Sequence, residues 1–210
     1  LISLIFLMTI LSTTGIKTDK FNNIILKKIN NNYKDTSLKL GKIKFKFDIK
    51  KVSLFVETKN PEINYQNTFV PIENVKIYLN FLSLLKSKID INKINISSEE
   101  ITIKELKDLI IKVKPSNITS LIINKVKSGK LNTNLDLYFD NNLKIVNFIA
   151  KGEVKEMRGY LTKNLVAKGA SFNFFFDKSD LIIKNTKMNL NGILLKSGNL
   201  YLTRGDNINL

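Results

Sequence analysis

The sequence predicts a mainly β fold with a few helices: an N-terminal transmembrane or amphipathic helix, then a long antiparallel β-sheet with a helical insert. Three observations predict it. Apolar residues alternate with Lys, Asp and Asn over short runs along most of the chain, the period of a half-buried strand. Turn-forming residues such as Asn60-Pro61, Asp140-Asn141-Asn142 and Asn191-Gly192 separate those runs. Between residues 104 and 130 the apolar spacing changes from two to three and four, which is helical.

Four segments follow. Residues 1–16 are expected to be a truncated transmembrane anchor. Residues 17–103 form an N-terminal amphipathic helix plus a β meander, and residues 104–130 a helical insert. Residues 131–210 form a β-groove repeat region that continues beyond the given chain. The opening run LISLIFLMTIL carries no charge, and the first is Lys17. A spanning helix needs about 20 apolar residues, so the run reads as the second half of one. The apolar region of a signal peptide and a buried core helix are the alternatives. From Thr18 to Tyr33, the residues Phe21, Ile24, Ile25, Ile29 and Tyr33 share one helical face, with Thr18 or Asp19 as cap.

From Leu38 the period becomes two. Leu38 and Leu40, then Ile43, Phe45, Phe47 and Ile49, alternate with polar residues, and Lys50-Lys51 reads as a turn before Val52, Leu54 and Val56. Val75, Ile77, Leu79 and Phe81 alternate again, and Phe81 to Lys86 reads as a short helical turn. Ile89, Ile91, Ile94, Ile96, Ile101 and Ile103 resume strand spacing. In the insert, Leu106, Leu109, Ile110 and Val113 make one helical stripe ended by Pro115. Ile118, Leu121, Ile122 and Val126 make a second, capped by Ser116 or Asn117 and closed by Gly129.

The remainder is again β. Leu135, Leu137 and Phe139 lead into the Asp140 turn, and Val146, Phe148 and Ala150 return. Gly152, Gly159 and Gly169 mark bends or strand ends. Phe172, Phe174 and Phe176 form an alternating aromatic stripe before the turn Asp177 to Asp180. Asn191-Gly192 signals a hairpin, and Ser197-Gly198-Asn199 a further turn.

Composition narrows function. The chain has no Cys, His or Trp, which removes Cys and His metal sites, thiol nucleophiles and every imidazole-based triad. The carboxylates left as catalytic candidates are poor ones. Glu99 and Glu100, read as strand neighbours, point to opposite faces; Asp177 and Asp180 sit in a turn that favours Asp for its backbone hydrogen bonds. The expectation is a non-enzyme without cofactor or metal. A formal net charge of +16 suggests nucleic acid, but Arg is confined to Arg158 and Arg204, and Lys alternates with apolar residues as in Lys42-Ile43-Lys44-Phe45-Lys46-Phe47. That alternation reads as the solvated face of a sheet, with attraction to anionic headgroups needing no motif. Arg204-Gly205-Asp206 spells an adhesion tripeptide and equally an ordinary turn.

What remains is physical: strand after strand presents an apolar face. Either a second layer covers it, as in a closed sandwich, or it stays open for a ligand or partner.

The order of features resembles the AsmA-like superfamily (the AsmA, TamB and YhdP type), and is closest in pattern to the N-terminal region of its YhdP-like members. The resemblance rests on an apolar N-terminal helix, an amphipathic helix, and the strand, Leu-rich turn, strand, strand segment from Val75 to Ile96. A helix running through Lys127-Ser128-Gly129-Lys130 into long strands, and Gly152-Glu153-Val154 followed by Phe172 to Gly192, extend it. It implies a bridge-like lipid transfer protein of a bacterial inner membrane, anchored through residues 1–16, with its bulk in the periplasm. Such a protein moves phospholipid between inner and outer membranes through a hydrophobic β-groove. It implies groove-lining candidates on the early strands, Phe45, Phe47, Ile77, Leu79, Ile89 and Ile91. The later strands would add Leu137, Phe139, Phe172, Phe174 and Phe176. The second expectation is an envelope assembly scaffold that binds outer-membrane or periplasmic proteins by strand addition; a surface adhesin is the third.

Overall fold

The computed structural model describes residues 2–18, 22–23, 26–27, 35–49, 53–80, 90–112, 116–140, 142 and 144–203. The predicted helix from Thr18 to Tyr33 falls largely outside the described residues. The Phe81 to Lys86 turn and the candidate Ile89 fall wholly outside them. The described chain is mainly β, with helices α1 (Ile2–Thr13), α2 (Ile103–Ile110) and α3 (Asn117–Lys125). It divides into two compact units. Unit 1 is Leu1–Ser97 with Asp136–Phe148, and unit 2 is Ser98–Leu135 with Ile149–Leu210.

Helix α1 bears out the apolar opening as a helix. Twelve residues rise about 18 Å, against a hydrocarbon core of about 30 Å. Among the described residues no helix is long and apolar enough to cross a membrane. Leu11 is buried and α1 packs on β3 (Ile43–Asp48), whereas Ile2 is 85% and Phe6 67% exposed.

Unit 1 follows the predicted alternation. Its strands β1 (Ile16–Lys17), β3, β4 (Ser53–Lys59), β7 (Ile72–Leu79) and β8 (Ile91–Ser98) lie in that order. The registers of β1 on β3, β3 on β4 and β4 on β7 are antiparallel. They place Phe45, Val56 and Ile77 in one cross-strand row and Phe47, Leu54 and Leu79 in the next. Partners in an antiparallel pair share a face, so these rows build one apolar surface.

A second sheet was not read from the sequence. Strands β2 (Thr36–Lys39), β5 (Glu62–Tyr65) and β6 (Thr68–Val70) form it in the order β2-β5-β6. Gln66 and Asn67, at φ 47° and 62°, make the tight turn between β5 and β6. Runs of three or four residues are too short for periodicity to reveal. Ile63 and Val70 of this small sheet pack against the cluster Ile43, Val56, Ile72, Val75, Ile77 and Leu79. Unit 1 therefore has a covered core.

Unit 2 carries β9 (Ile101–Thr102) beside β10 (Val126–Phe139), then β11 (Ile145–Tyr160), β12 (Val166–Asp177), β13 (Asp180–Leu190) and β14 (Ile193–Thr203). Strands β10 and β11 contribute residues to both units. Helix α2 opens with a capping box: Glu105 N donates to Thr102 Oγ1 at 3.3 Å, and Thr102 N donates to Glu105 Oε2 at 2.8 Å. Ser116, one of the two cap candidates, caps α3 through Thr119 N donating to its Oγ at 3.2 Å.

The structure departs from four expectations. Helix α3 ends at Lys125, and Gly129 lies inside β10 rather than at a helix end. A Cβ on Gly129 would sit 2.9 Å from Met157 Cα, so the glycine serves close strand approach. The β region thus begins at Val126, not at residue 131. Ser197-Gly198-Asn199 is not a turn but the middle of β14. Glu99 and Glu100 lie between β8 and β9 rather than on a strand. The Asn191-Gly192 hairpin is present, with φ of 51° and 98°.

Candidate lipid-binding face

In unit 2 the Phe stripe becomes the centre of an apolar surface. Phe176 pairs with Ala150 on one side and Leu181 on the other. Phe174 pairs with Gly152 and Ile183, and Ile183 in turn with Leu200. Phe172 pairs with Val154. All of these residues share one face. Phe172, Phe174 and Phe176 are each part-exposed, and Leu200 is 50% exposed. The opposite face of the same strands is mixed, with Lys151, Phe175, Ile182 and Tyr201 in one row and Glu153, Asn173, Lys184 and Asn199 in the next.

Gly152 shapes that surface. A Cβ there would press on the Asn132 backbone carbonyl and come within 3.0 Å of Phe174 Cε1. The missing side chain lets the ring lie close to the β11 backbone. Gly152→Ala should therefore lower stability by about 1–3 kcal/mol. Urea unfolding checks it; a loss under about 0.5 kcal/mol would mean that the β10 backbone yields freely.

A bend crosses the same strands. Gly129, Glu156, Gly169 and Asn185, one in each of β10 to β13, all take positive φ, at 143°, 51°, 61° and 55°. The β11–β12 register shifts between Val154 and Met157, and the β12–β13 register shifts on both sides of Ser171. Glu156 N, released from the ladder, donates to Ser171 Oγ at 3.1 Å. Each bulge bends its strand and adds twist, and neighbouring bulges add to one another. The sequence marks Gly152, Gly159 and Gly169 as bends or strand ends; Gly169 takes part in the bend and Gly159 borders the β11–β12 register shift after Met157, whereas Gly152 sits inside β11.

Unit 1 treats its candidates differently. Ile77 and Leu79 are buried in the covered core, and Phe45 and Ile91 pack against it. Phe47, Leu137 and Phe139 are part-buried. Period-two reasoning alone groups these with the Phe stripe, because it reports which residues share a face and not what covers it.

The reverse face of unit 1 holds a polar network that the sequence reading missed. Glu57, 5% exposed, receives Lys46 Nζ at 2.6 Å and Lys76 Nζ at 3.7 Å, and Asn74 Nδ2 donates to it at 3.1 Å. Phe55 and Tyr78 pack with ring centroids 5.4 Å apart, and Lys93 Nζ lies 4.5 Å from the Tyr78 ring centre. Lys93 also pairs with Asp136 at 3.4 Å, while Asn95 Nδ2 donates to the same carboxylate at 2.7 Å. Burial pushes Tyr78 above its ordinary value, helped by Asp48 and Asp136.

Burial also pushes the Glu57 carboxyl up, but the hydrogen bonds from Lys46 and Asn74 and the charges of Lys46 and Lys76 outweigh it. The carboxyl ends below its ordinary 4.5. The stability that Glu57 adds is therefore fully present above the unfolded value and is lost as pH falls through the lower folded one. Glu57→Gln should cost about 1–3 kcal/mol at pH 7 by leaving two lysines unmatched. The gap to the native chain should close as pH drops below 4.5, which paired unfolding curves would show. A gap independent of pH would assign the loss to shape rather than charge.

Fold and faces together define an antiparallel β protein whose unit 1 has a sheet-covered core and whose unit 2 displays a part-exposed aromatic face. No family model matches the chain, and neither does any curated protein or solved structure.

Proposed function

We propose that this chain is a membrane-attached lipid-binding protein of a Gram-negative envelope, of the AsmA-like kind, carrying phospholipid between inner and outer membranes without catalysing a reaction. The observation that carries the reading is the row Gly152, Phe174, Ile183 and Leu200 with its neighbours, an apolar face that stays part-exposed. Acyl chains are the natural cover for such a face, since they take apolar surface out of water without asking for hydrogen bonds. The bulges of β11 to β13 favour a curled sheet, the shape that wraps an acyl chain. Helix α1, charge-free with Ile2 and Phe6 exposed, suits attachment to the inner membrane. Phe172, Phe174 and Phe176 are the lipid contacts in this reading, and the covered Ile77 and Leu79 serve the core.

Strand addition is the second reading. Among the described residues β14 pairs only with β13, and its Leu194, Leu200 and Tyr201 are exposed. Native mass spectrometry of the chain, exported to a bacterial periplasm and purified gently, separates the two. Co-purifying phospholipid supports carriage; a folded, lipid-free chain that crosslinks to outer-membrane proteins supports the scaffold.

A further inference from the structure

Three neighbouring pieces of unit 2 form one end of it. Helix α3 and the end of β11 line an open cleft, with Leu121 and Lys125 from the helix and Tyr160 and Leu161 from the strand end. The β11–β12 tip is closed by Leu161 N donating to Leu165 O at 2.9 Å. Asn191 ties that tip to the β13–β14 tip: Val166 N donates to its Oδ1 at 2.9 Å, and its Nδ2 donates to Asn164 O at 2.7 Å.

Apolar side chains protrude from these pieces. Leu161 is 54% and Ile193 67% exposed, with Leu121 and Leu194 similar. The stretches that carry them hold charge of one sign. No Asp or Glu stands between Asp108 and Asp136, between Glu156 and Asp177, or between Asp180 and Asp206. Lys125, Lys163 and Lys196 are exposed in those stretches, and Lys127 Nζ lies 5.7 Å from the Tyr160 ring centre.

We infer that this end of unit 2 docks on an anionic phospholipid bilayer, as a membrane contact separate from α1 and from the Phe face. Aliphatic side chains on hairpin tips enter the headgroup boundary, while the lysines around them meet lipid phosphates. Tyr160 suits the same depth, with an apolar ring and a polar tip. Nucleic acid would use the lysines but leave the protruding Leu and Ile in water, so the combination selects a lipid surface.

The chain has no Cys, so a single introduced one takes a single label. The full chain carrying Thr162→Cys at the β11–β12 tip, labelled with a polarity-sensitive dye, is mixed with vesicles of phosphatidylcholine alone or with added phosphatidylglycerol. Flotation reports binding. The expected result is a blue shift with the anionic vesicles, with no shift from a label at Ser179→Cys in the β12–β13 turn, at the other end of β12. Lys163→Glu combined with Lys196→Glu should weaken the vesicle affinity read by the tip label about tenfold or more. A chain that floats with the vesicles while its tip label stays unshifted overturns the proposal, because another part is then making the contact. So does a chain that does not float, or a tip label that responds to duplex DNA and not to vesicles. The tip shift should survive replacement of the three Phe by Asp, so this inference and the lipid-carriage reading fail separately.

Discussion

Changing Phe172, Phe174 and Phe176 to Asp should strip phospholipid from the purified protein and leave it folded. The three rings stand on one face of β12, opposite Val154, Gly152 and Ala150. Covering a Phe side chain contributes about 1.5–3 kcal/mol. Losing three such contacts should weaken the proposed lipid binding more than about 100-fold, and the new carboxylates resist desolvation as well. Because the rings are part-exposed, Asp at these positions can reach water, so the sheet should survive. Ile77→Asp is the contrast: it places a charge inside the covered core of unit 1 and should prevent folding. Native mass spectrometry reads the lipid and circular dichroism the fold. A folded triple variant that retains lipid at the native stoichiometry would remove these Phe from the binding face.

The second large effect lies in unit 1. Ile43 is 1% exposed, the most buried member of the main cluster. Ile43→Ala should lower the stability of unit 1 by about 2–5 kcal/mol, the lost transfer energy plus the cavity left behind. Ile49→Ala, six residues along the same alternating set, should change it by less than about 0.5 kcal/mol, because Ile49 is 60% exposed. Amide hydrogen exchange in β4, which pairs with β3, follows unit 1 without assuming that both units unfold together. Equal losses at both positions would mean that β3 is held by something other than the cluster.

Much of the architecture is legible in the sequence. Alternation placed β3, β4, β7 and β8, and turn chemistry placed the Asp140 and Asn191-Gly192 hairpins. Helical spacing placed the two helices of the insert, one of them starting on Ser116, one of its two cap candidates. Those signals are local: a strand period or an Asn-Gly turn depends on residues a few positions apart. The short β5 and β6 hairpin escaped notice because three or four residues do not set a period. Gly129 was assigned to a helix end because its close neighbour, Met157, is remote in sequence.

The candidate face shows the same division. By itself the sequence determined that Phe172, Phe174 and Phe176 share a face, as do Ile43, Phe45 and Phe47, since side chains on a strand repeat every second residue. It also determined the excess of lysine and the lack of any imidazole or thiol chemistry. Only the tertiary structure decided that Ile63 and Val70 close over the apolar face of unit 1, while the Phe face of unit 2 stays part-exposed. It alone paired Lys46 and Lys76 with Glu57, and set positive-φ residues in four neighbouring strands. The physical reason is range: period and turn type are written in adjacent residues, whereas cover, charge pairing and register depend on which distant strand arrives alongside.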